Sequence, residues 1–370
     1  MRITSNTSAI AANNSLGFTD AKLSVSTERL SSGNKINAAK DNPSGLAIAK
    51  RMDAQLKGLS TASQNAKDSI SLVEIADGAL SEIQSIVQRM SELAVKAGNG
   101  ILTDTDRSSI QAEISQLTDE IERIADDTDF NGMKLLNGDC DLQGYSSDSL
   151  VDVNYYSDET EEGLYRISAI NPVYNADGVL QAGSVTLLQD GSPNAFPSDA
   201  TITYDKNRVT VIASNSFEVQ FDLDSTITTL SNVDLELTGE GSMTMQIGAN
   251  EGQTLDIRIP KITLANMDID DIDLSTAEGA EAAGIQTKNA NAYISSIRSK
   301  LGAYENRLEK ITSNLDIANE NITSAYSRIM DVDMATEMTT YSTLQILSQA
   351  GTSMLAQANE RPQQVLQLLQ

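Results

Sequence analysis

Apolar residues recur at alternating spacings of three and four through Ile294, Ile297, Leu301, Tyr304, Leu308, Ile311, Leu315, Ala318, Ile322, Ala325, Ile329 and Val332. A 3.5-residue repeat kept up over this length is a coiled-coil seam, so residues 281 to about 331 are expected to form one long helix. A second seam runs Leu56, Leu59, Ser63, Ala66, Ile70 and Val73, then continues with a shifted phase through Leu80, Ile83, Val87 and Met90. A third joins Ile110, Ile114, Leu117, Ile121 and Ile124. Gly98-Asn99-Gly100 separates the second from the third as a helix stop, and Thr105 or Asp106 is the expected cap of the third helix. Three seams on three helices imply a bundle in which the two ends of the chain pair. Taken alone, this periodicity favours an ordinary helical bundle over a filament subunit.

The extreme ends carry a weaker pattern. Residues 341–370 hold one acid, Glu360, and one base, Arg361, yet place apolar side chains at Leu344, Leu347, Met354, Leu355, Val365, Leu366, Leu368 and Leu369. The first thirty residues offer Leu16, Leu23 and Leu30 at seven-residue intervals. Weakly charged amphipathic ends bury little by themselves. Either they dock on their own domain or other copies of the chain cover them, and the pattern does not choose.

The middle alternates with period two. Thr201–Tyr204 and Val209–Ile212 flank Asp205-Lys206-Asn207-Arg208 and read as a hairpin. Further alternating runs lie at 151–155, 165–170, 185–188, 217–223, 233–237, 243–247 and 255–259. A smaller hairpin is expected at 130–138. The expected fold class is α+β: a long coiled-coil-like helical bundle formed by both chain ends, with a β-hairpin and an inserted all-β outer domain. The expected divisions are 1–42 with 330–370 as terminal helices, 43–140 with 241–329 as bundle and hairpin, and 141–240 as the insert.

Charge sharpens that division. Of 370 residues, 26 are basic and 52 acidic, a net −26, and 141–240 alone holds 17 acids and 3 bases. So negative a chain repels phosphate backbones and is not expected to bind nucleic acid. There is no histidine and one cysteine, which excludes Ser-His-Asp and Cys-His catalysis, zinc sites of the His or Cys-cluster type, and an internal disulfide. No apolar run reaches the length of a membrane span, so membrane insertion is not expected. The opening residues lack the apolar core of a cleaved secretory signal.

Candidate chemistry is sparse. Gly248-Ala249-Asn250-Glu251-Gly252 lacks both phosphate-loop patterns and reads as a turn between strands. Asp268, Asp270, Asp271 and Asp273 beside Glu278 lack calcium-loop spacing and read as a solvated loop. Asp331, Asp333 and Glu337 end the longest seam and read as a polar joint between helices. Cys140, flanked by Asp139 and Asp141, is expected to be unreactive. No cofactor is expected.

The residues themselves resemble a family. Arg29-Leu30-Ser31-Ser32-Gly33, Ile36-Asn37, Ala39, Asp41 and Gly45-Leu46-Ala47-Ile48-Ala49 resemble the N-terminal signature of bacterial flagellin. Leu301-Gly302-Ala303, Asn306-Arg307-Leu308-Glu309, Asn314-Leu315, Glu320-Asn321 and Ser327-Arg328-Ile329 are similar to its C-terminal signature. That likeness runs on through Asp331, Asp333, Glu337, Ile346-Leu347, Leu355-Ala356-Gln357-Ala358-Asn359 and Pro362-Gln363. Gln246–Asn250 with Gly252-Gln253 matches a motif leading out of the family's inserted region. The likeness covers about 1–140 and 241–370.

The resemblance implies an extracellular filament subunit that polymerises in many copies for motility, its terminal helices forming an inner tube through Leu16, Leu23, Leu30, Leu344, Leu347, Leu355, Val365, Leu366 and Leu369. It implies export by the flagellar secretion system without a cleaved signal, a cytoplasmic export chaperone, and cap and junction proteins as partners. It also implies that Arg89, Leu93 and Glu113 match positions contacted by Toll-like receptor 5, with Ser91 departing from the surrounding pattern. Two other readings share these features: a hook–filament junction protein, and a surface adhesin acting through 141–240.

Overall fold

The computed structural model describes residues 6–157, 160, 163–171, 185–188, 196–197, 199–205, 208–213, 217–223, 227, 229–238 and 241–368, with side chains in the last helix up to 361. Among the described residues there are five helices: α1 (Thr7–Ser32), α2 (Pro43–Ala97), α3 (Asp104–Asp127), α4 (Ala277–Met330) and α5 (Met334–Leu368). The seams at 56–90 and 294–329 each lie within one unbroken helix. Both stretches lack interior proline, and proline there would cost about 3 kcal/mol. Among the described residues, no helix is long and apolar enough to cross a membrane.

The chain divides into two compact units, Met1–Ala62 with Ser313–Gln370, and Ser63–Thr312. In the first, α1 lies antiparallel along α5, and the Asn6 amide donates to the Ala358 carbonyl at 2.8 Å. Gly33 takes a left-handed conformation that ends α1. Its carbonyl then accepts from Val332 N–H at 3.0 Å, and Asn34 bridges Asp331. A small core of Ile36, Ala49 and Met330 sits beside this joint.

The second unit holds two larger cores. One joins α2, α3 and α4 through Leu72, Leu80, Ile83, Ile114, Ile121, Ile294 and Leu301. A pair of short strands, β1 (Asp129–Phe130) and β2 (Met133–Lys134), closes on Asn131-Gly132, both at positive φ, as a two-residue hairpin turn requires. This hairpin is tighter than the 130–138 expected, because the paired strands end at Lys134. Thr103, not Thr105 or Asp106, caps α3. Asp106 is its reciprocal partner: the Thr103 hydroxyl accepts from the Asp106 N–H while the Asp106 carboxylate accepts from the Thr103 N–H, a capping box.

The other core fills a two-sheet sandwich. One antiparallel sheet orders β3 (Gly144–Ser146), β10 (Leu230–Leu237), β5 (Gly163–Ile170) and β6 (Val185–Leu187). The second orders β4 (Val151–Tyr156), β9 (Glu218–Leu223), β8 (Arg208–Ile212) and β7 (Thr201–Asp205). Alternation buries Val209, Val211, Val219, Phe221, Val233 and Leu235, while Tyr165, Phe196 and Phe217 stack at the centre with ring centroids 5.3–6.2 Å apart. The hairpin expected at 201–212 is present with Thr201 opposite Ile212; Lys206 and Asn207 at its tip lie outside the described residues. A last pair, β11 (Met243–Gln246) and β12 (Thr254–Ile257), flanks 248–252, which is a turn between strands.

Candidate functional site

The terminal helices are paired but barely buried. Ser26 is the one buried residue of α1, and no described side chain of α5 is buried. Leu16, Leu23, Leu30, Leu344 and Leu355 are half-buried. A second set of apolar side chains is left in solvent: Phe18 (72% exposed), Ile346 (65%), Met354 (60%), Ile10 (57%) and Leu347 (51%). Helix α5 runs over Val365 and Leu366, whose side chains lie outside those described, as does Leu369 altogether. The five exposed side chains form an apolar band left in solvent on the single chain.

The α4 seam changes character along its length. Ile294, Ile297, Leu301 and Leu308 are buried, whereas Ile311, Leu315, Ile322 and Ile329 are only half-buried. The buried part is reinforced by a polar ladder that periodicity does not reveal. Arg298 donates to both Asp77 carboxylate oxygens, at 2.8 and 3.0 Å, and to Gln84 Oε1 at 2.7 Å. Gln84 in turn donates to Asn291 at 2.8 Å. Asp77 and Gln84, like Asn291 and Arg298, are seven residues apart, so the ladder fixes the register of α2 against α4. Side chains at that spacing beside a seam were the available signal.

On the α2–α3 surface, Arg89 Nη2 donates to Glu113 Oε1 at 2.9 Å and Nη1 to Glu92 at 3.1 Å, all three side chains exposed. Leu93 is not beside them on the surface. It is 1% exposed, within the bundle core.

Comparison with known proteins bears on both surfaces. The family model of the bacterial flagellin N-terminal helical region matches residues 3–141, and that of the C-terminal helical region matches 284–369, together more than half the chain. A flagellin of Clostridium tyrobutyricum is 39% identical over 378 aligned positions, covering 96% of this chain and 98% of that one. A flagellin of Bacillus subtilis strain 168 is 36% identical, with all of both chains covered. The chain belongs to the bacterial flagellin family. It is a structural subunit of the flagellar filament, an extracellular appendage, and the flagellin family is a structural one.

The remaining polar residues of this flagellin fall into structural places. Asp333 caps α5, accepting from Ala335 N–H at 3.0 Å and from the Thr336 hydroxyl at 2.9 Å, and these bonds hold its carboxyl below the usual range. Asp331 takes the Ser327 hydroxyl, and Glu337 lies 4.0 Å from Arg29. The three acids do form a polar joint. Cys140 is buried, and burial, then Asp139 and Asp141, raises its thiol pKa. Among the described residues, no group of metal-ligating side chains converges.

Where the sandwich meets the bundle, a polar cavity of about 250 Å³ is lined by Asp141, Arg208, Lys261, Asn266, Tyr293 and Lys300, among others. Arg208 bridges it, holding Asp222 at 3.0 Å and Asn266 Oδ1 at 2.9 Å. Asp141 is 6% exposed. Burial raises its pKa above the ordinary 3.8, against the Leu142 N–H bond and the charges of Arg258 and Lys300, which lower it. A raised folded-state pKa means the folded chain binds the proton more tightly than the unfolded one. Its stabilising contribution is therefore complete below pH 3.8 and lost as pH rises through the folded value. Asp141→Asn, which keeps the acceptor for Leu142, is expected to raise Tm at pH 7, with the gain shrinking towards zero near pH 4. Equal gains at both pH values would show that titration of Asp141 is not the cause.

Proposed function

We propose that the exposed band of Ile10, Phe18, Ile346, Leu347 and Met354 on α1 and α5 is the surface through which copies of this flagellin pack in the filament, and that Leu16, Leu23, Leu30, Leu344, Leu347, Leu355, Val365, Leu366 and Leu369 serve the same assembly. The observation that carries this is the near absence of buried side chains in two long paired helices. In the same reading, 1–42 with 330–370 form the inner layer, 43–140 with 241–329 the next, and 141–240 projects outward. Net charge supports the assignment, since 141–240 holds −14 of the total −26. Export proceeds without a cleaved signal, through the flagellar secretion system, with a chaperone holding the C-terminal helices, and cap and junction proteins meet the same terminal surfaces. No catalytic activity is proposed for a chain without histidine.

A second reading is favoured by the Arg89–Glu113 pair. An exposed ion pair is screened by solvent and adds little to stability, so its partners are free to be exchanged for those of another protein. We infer contact with Toll-like receptor 5 through Arg89 and Glu113, with Leu93 supporting them from the core. Arg89→Ala with Glu113→Ala is expected to lower receptor activation in a reporter cell assay about tenfold or more, with Tm unchanged. Undiminished activation would remove both residues from the contact. Leu93→Ala is a poor probe, because it opens a core cavity at a cost of about 2–5 kcal/mol.

A further inference from the structure

Charge is divided sharply between the two units. Residues 1–62 and 313–370 carry ten bases and ten acids, and 63–312 carry 16 bases and 42 acids, so the whole −26 lies on the second unit. Among the described residues, each unit presents a face whose charges make no ion pair with another element of the chain. In the first, Lys50 and Arg51 on α2 are exposed and make no ion pair. Lys57 shares the Lys50 side of the helix, seven residues on, and meets only Asp53 of its own helix. The exposed apolar Ile48 lies beside them. In the second, Asp119, Glu122 and Asp126 on α3 stand at i, i+3 and i+7, opposite the helix face that buries Ile114, Ile121 and Ala125. They too are exposed and unpaired, while the acids on the flank of the same helix are engaged, Glu113 by Arg89, and Glu120 and Asp127 by Arg123.

We propose that the Lys50–Arg51–Lys57 face of one copy docks on the Asp119–Glu122–Asp126 face of a second copy, as a contact between neighbouring subunits in the filament. The inference rests on the filament-subunit reading and names a contact separate from the terminal helices. Complementary charge fixes register and rejects wrong juxtapositions, which an apolar band of Leu, Ile and Met cannot do alone. The two faces are different surfaces of the same chain, so their pairing is heterologous, the kind of contact that builds an open polymer when its rotation does not close. It also places basic side chains against the unit that carries the net negative charge, offsetting repulsion between copies.

Charge reversal tests this with full-length chains and unmodified flagellin as the control. Lys50→Glu with Arg51→Glu, and separately Asp119→Lys with Glu122→Lys, are each expected to raise the critical concentration for polymerisation at least tenfold, with monomer circular dichroism and Tm kept. An equimolar mixture of the two variants is expected to polymerise near the control concentration, because each altered face then meets its complement. Variants that polymerise alone as the control does would overturn the contact. So would a mixture no better than its parts, or failure of the basic-face variant alone, which would assign that face another occupant. A control that fails to polymerise would count against the filament reading itself. Should a reversed variant lose its fold, Lys50→Gln with Arg51→Gln takes its place, with a several-fold rise expected and an unchanged value decisive against the docking.

Discussion

Deleting residues 341–370 is expected to abolish filament growth while leaving the core of α2, α3 and α4 folded. The reason lies in where the apolar surface of α1 and α5 goes. Ile10, Phe18, Ile346, Leu347 and Met354 are each more than half exposed on the single chain. Their combined exposure equals roughly three full side chains, on the order of 5–9 kcal/mol per copy if neighbours bury it. Ordering the helices opposes part of this gain. Removing 341–370 deletes three of the five side chains and strips α1 of the helix it pairs with, so the gain vanishes from both ends of the chain. The core formed by Leu72, Leu80, Ile83, Ile114 and Ile294 lies outside the deleted residues and keeps its contacts. Seeded growth followed by electron microscopy measures the first outcome, and thermal unfolding measures the second. Filaments of normal length from the shortened chain would remove the terminal band from assembly.

That expectation depends on an exposure that sequence does not display. The heptad seam at 294–329 was legible because spacing alone defines it. The fading of burial beyond Leu308 was not, since Leu301 and Leu315 occupy equivalent seam positions and differ only in what packs against them. Strands were legible where alternation ran for five residues or more, as at 217–223. Strand β3 was missed because Gly144-Tyr145-Ser146 is three residues long, carries one large side chain and is defined by pairing with β10. Cap chemistry misled by position: Thr105 and Asp106 both suit a cap, but the three-residue step from Thr103 to Asp106 satisfies two backbone donors reciprocally. The Arg89–Glu113 pair was placed by resemblance, and the geometry separates it from Leu93, whose side chain points into the core.

The turn between α2 and α3 is held by Arg107, a residue that neither periodicity nor motif spacing singles out. Arg107 is 6% exposed, on the first turns of α3. Its guanidinium reaches back to the end of the preceding helix, where Nη1 donates to the Ala97 carbonyl and Nη2 to the Asn99 carbonyl at 3.0 Å. The last carbonyls of a helix have no partner within it; here Gly98 N–H closes that of Ala94 and Asn99 N–H closes that of Lys96. Arg107 closes the Ala97 carbonyl and joins Leu102 N–H on that of Asn99, just past the helix end; its fork suits two acceptors at once, which a lysine ammonium on a flexible stem does less well. Arg107→Ala strips the carbonyl of the buried Ala97 of its charged donor, while that of the exposed Asn99 keeps the Leu102 N–H. The expected loss is about 2–4 kcal/mol, read from urea unfolding. Arg107→Lys is expected to recover less than half of it. Hydrogen exchange should quicken at 98–103 before it quickens in the α2–α4 seam, because the ladder of Arg298, Asp77 and Gln84 does not involve this turn. A loss below about 0.5 kcal/mol would mean that these carbonyls find other donors. The same turn sets the approach of α3 to α2, so loosening it should also weaken the Arg89–Glu113 pair; under the receptor contact proposed above, activation should then fall in Arg107→Ala although neither paired residue has been touched.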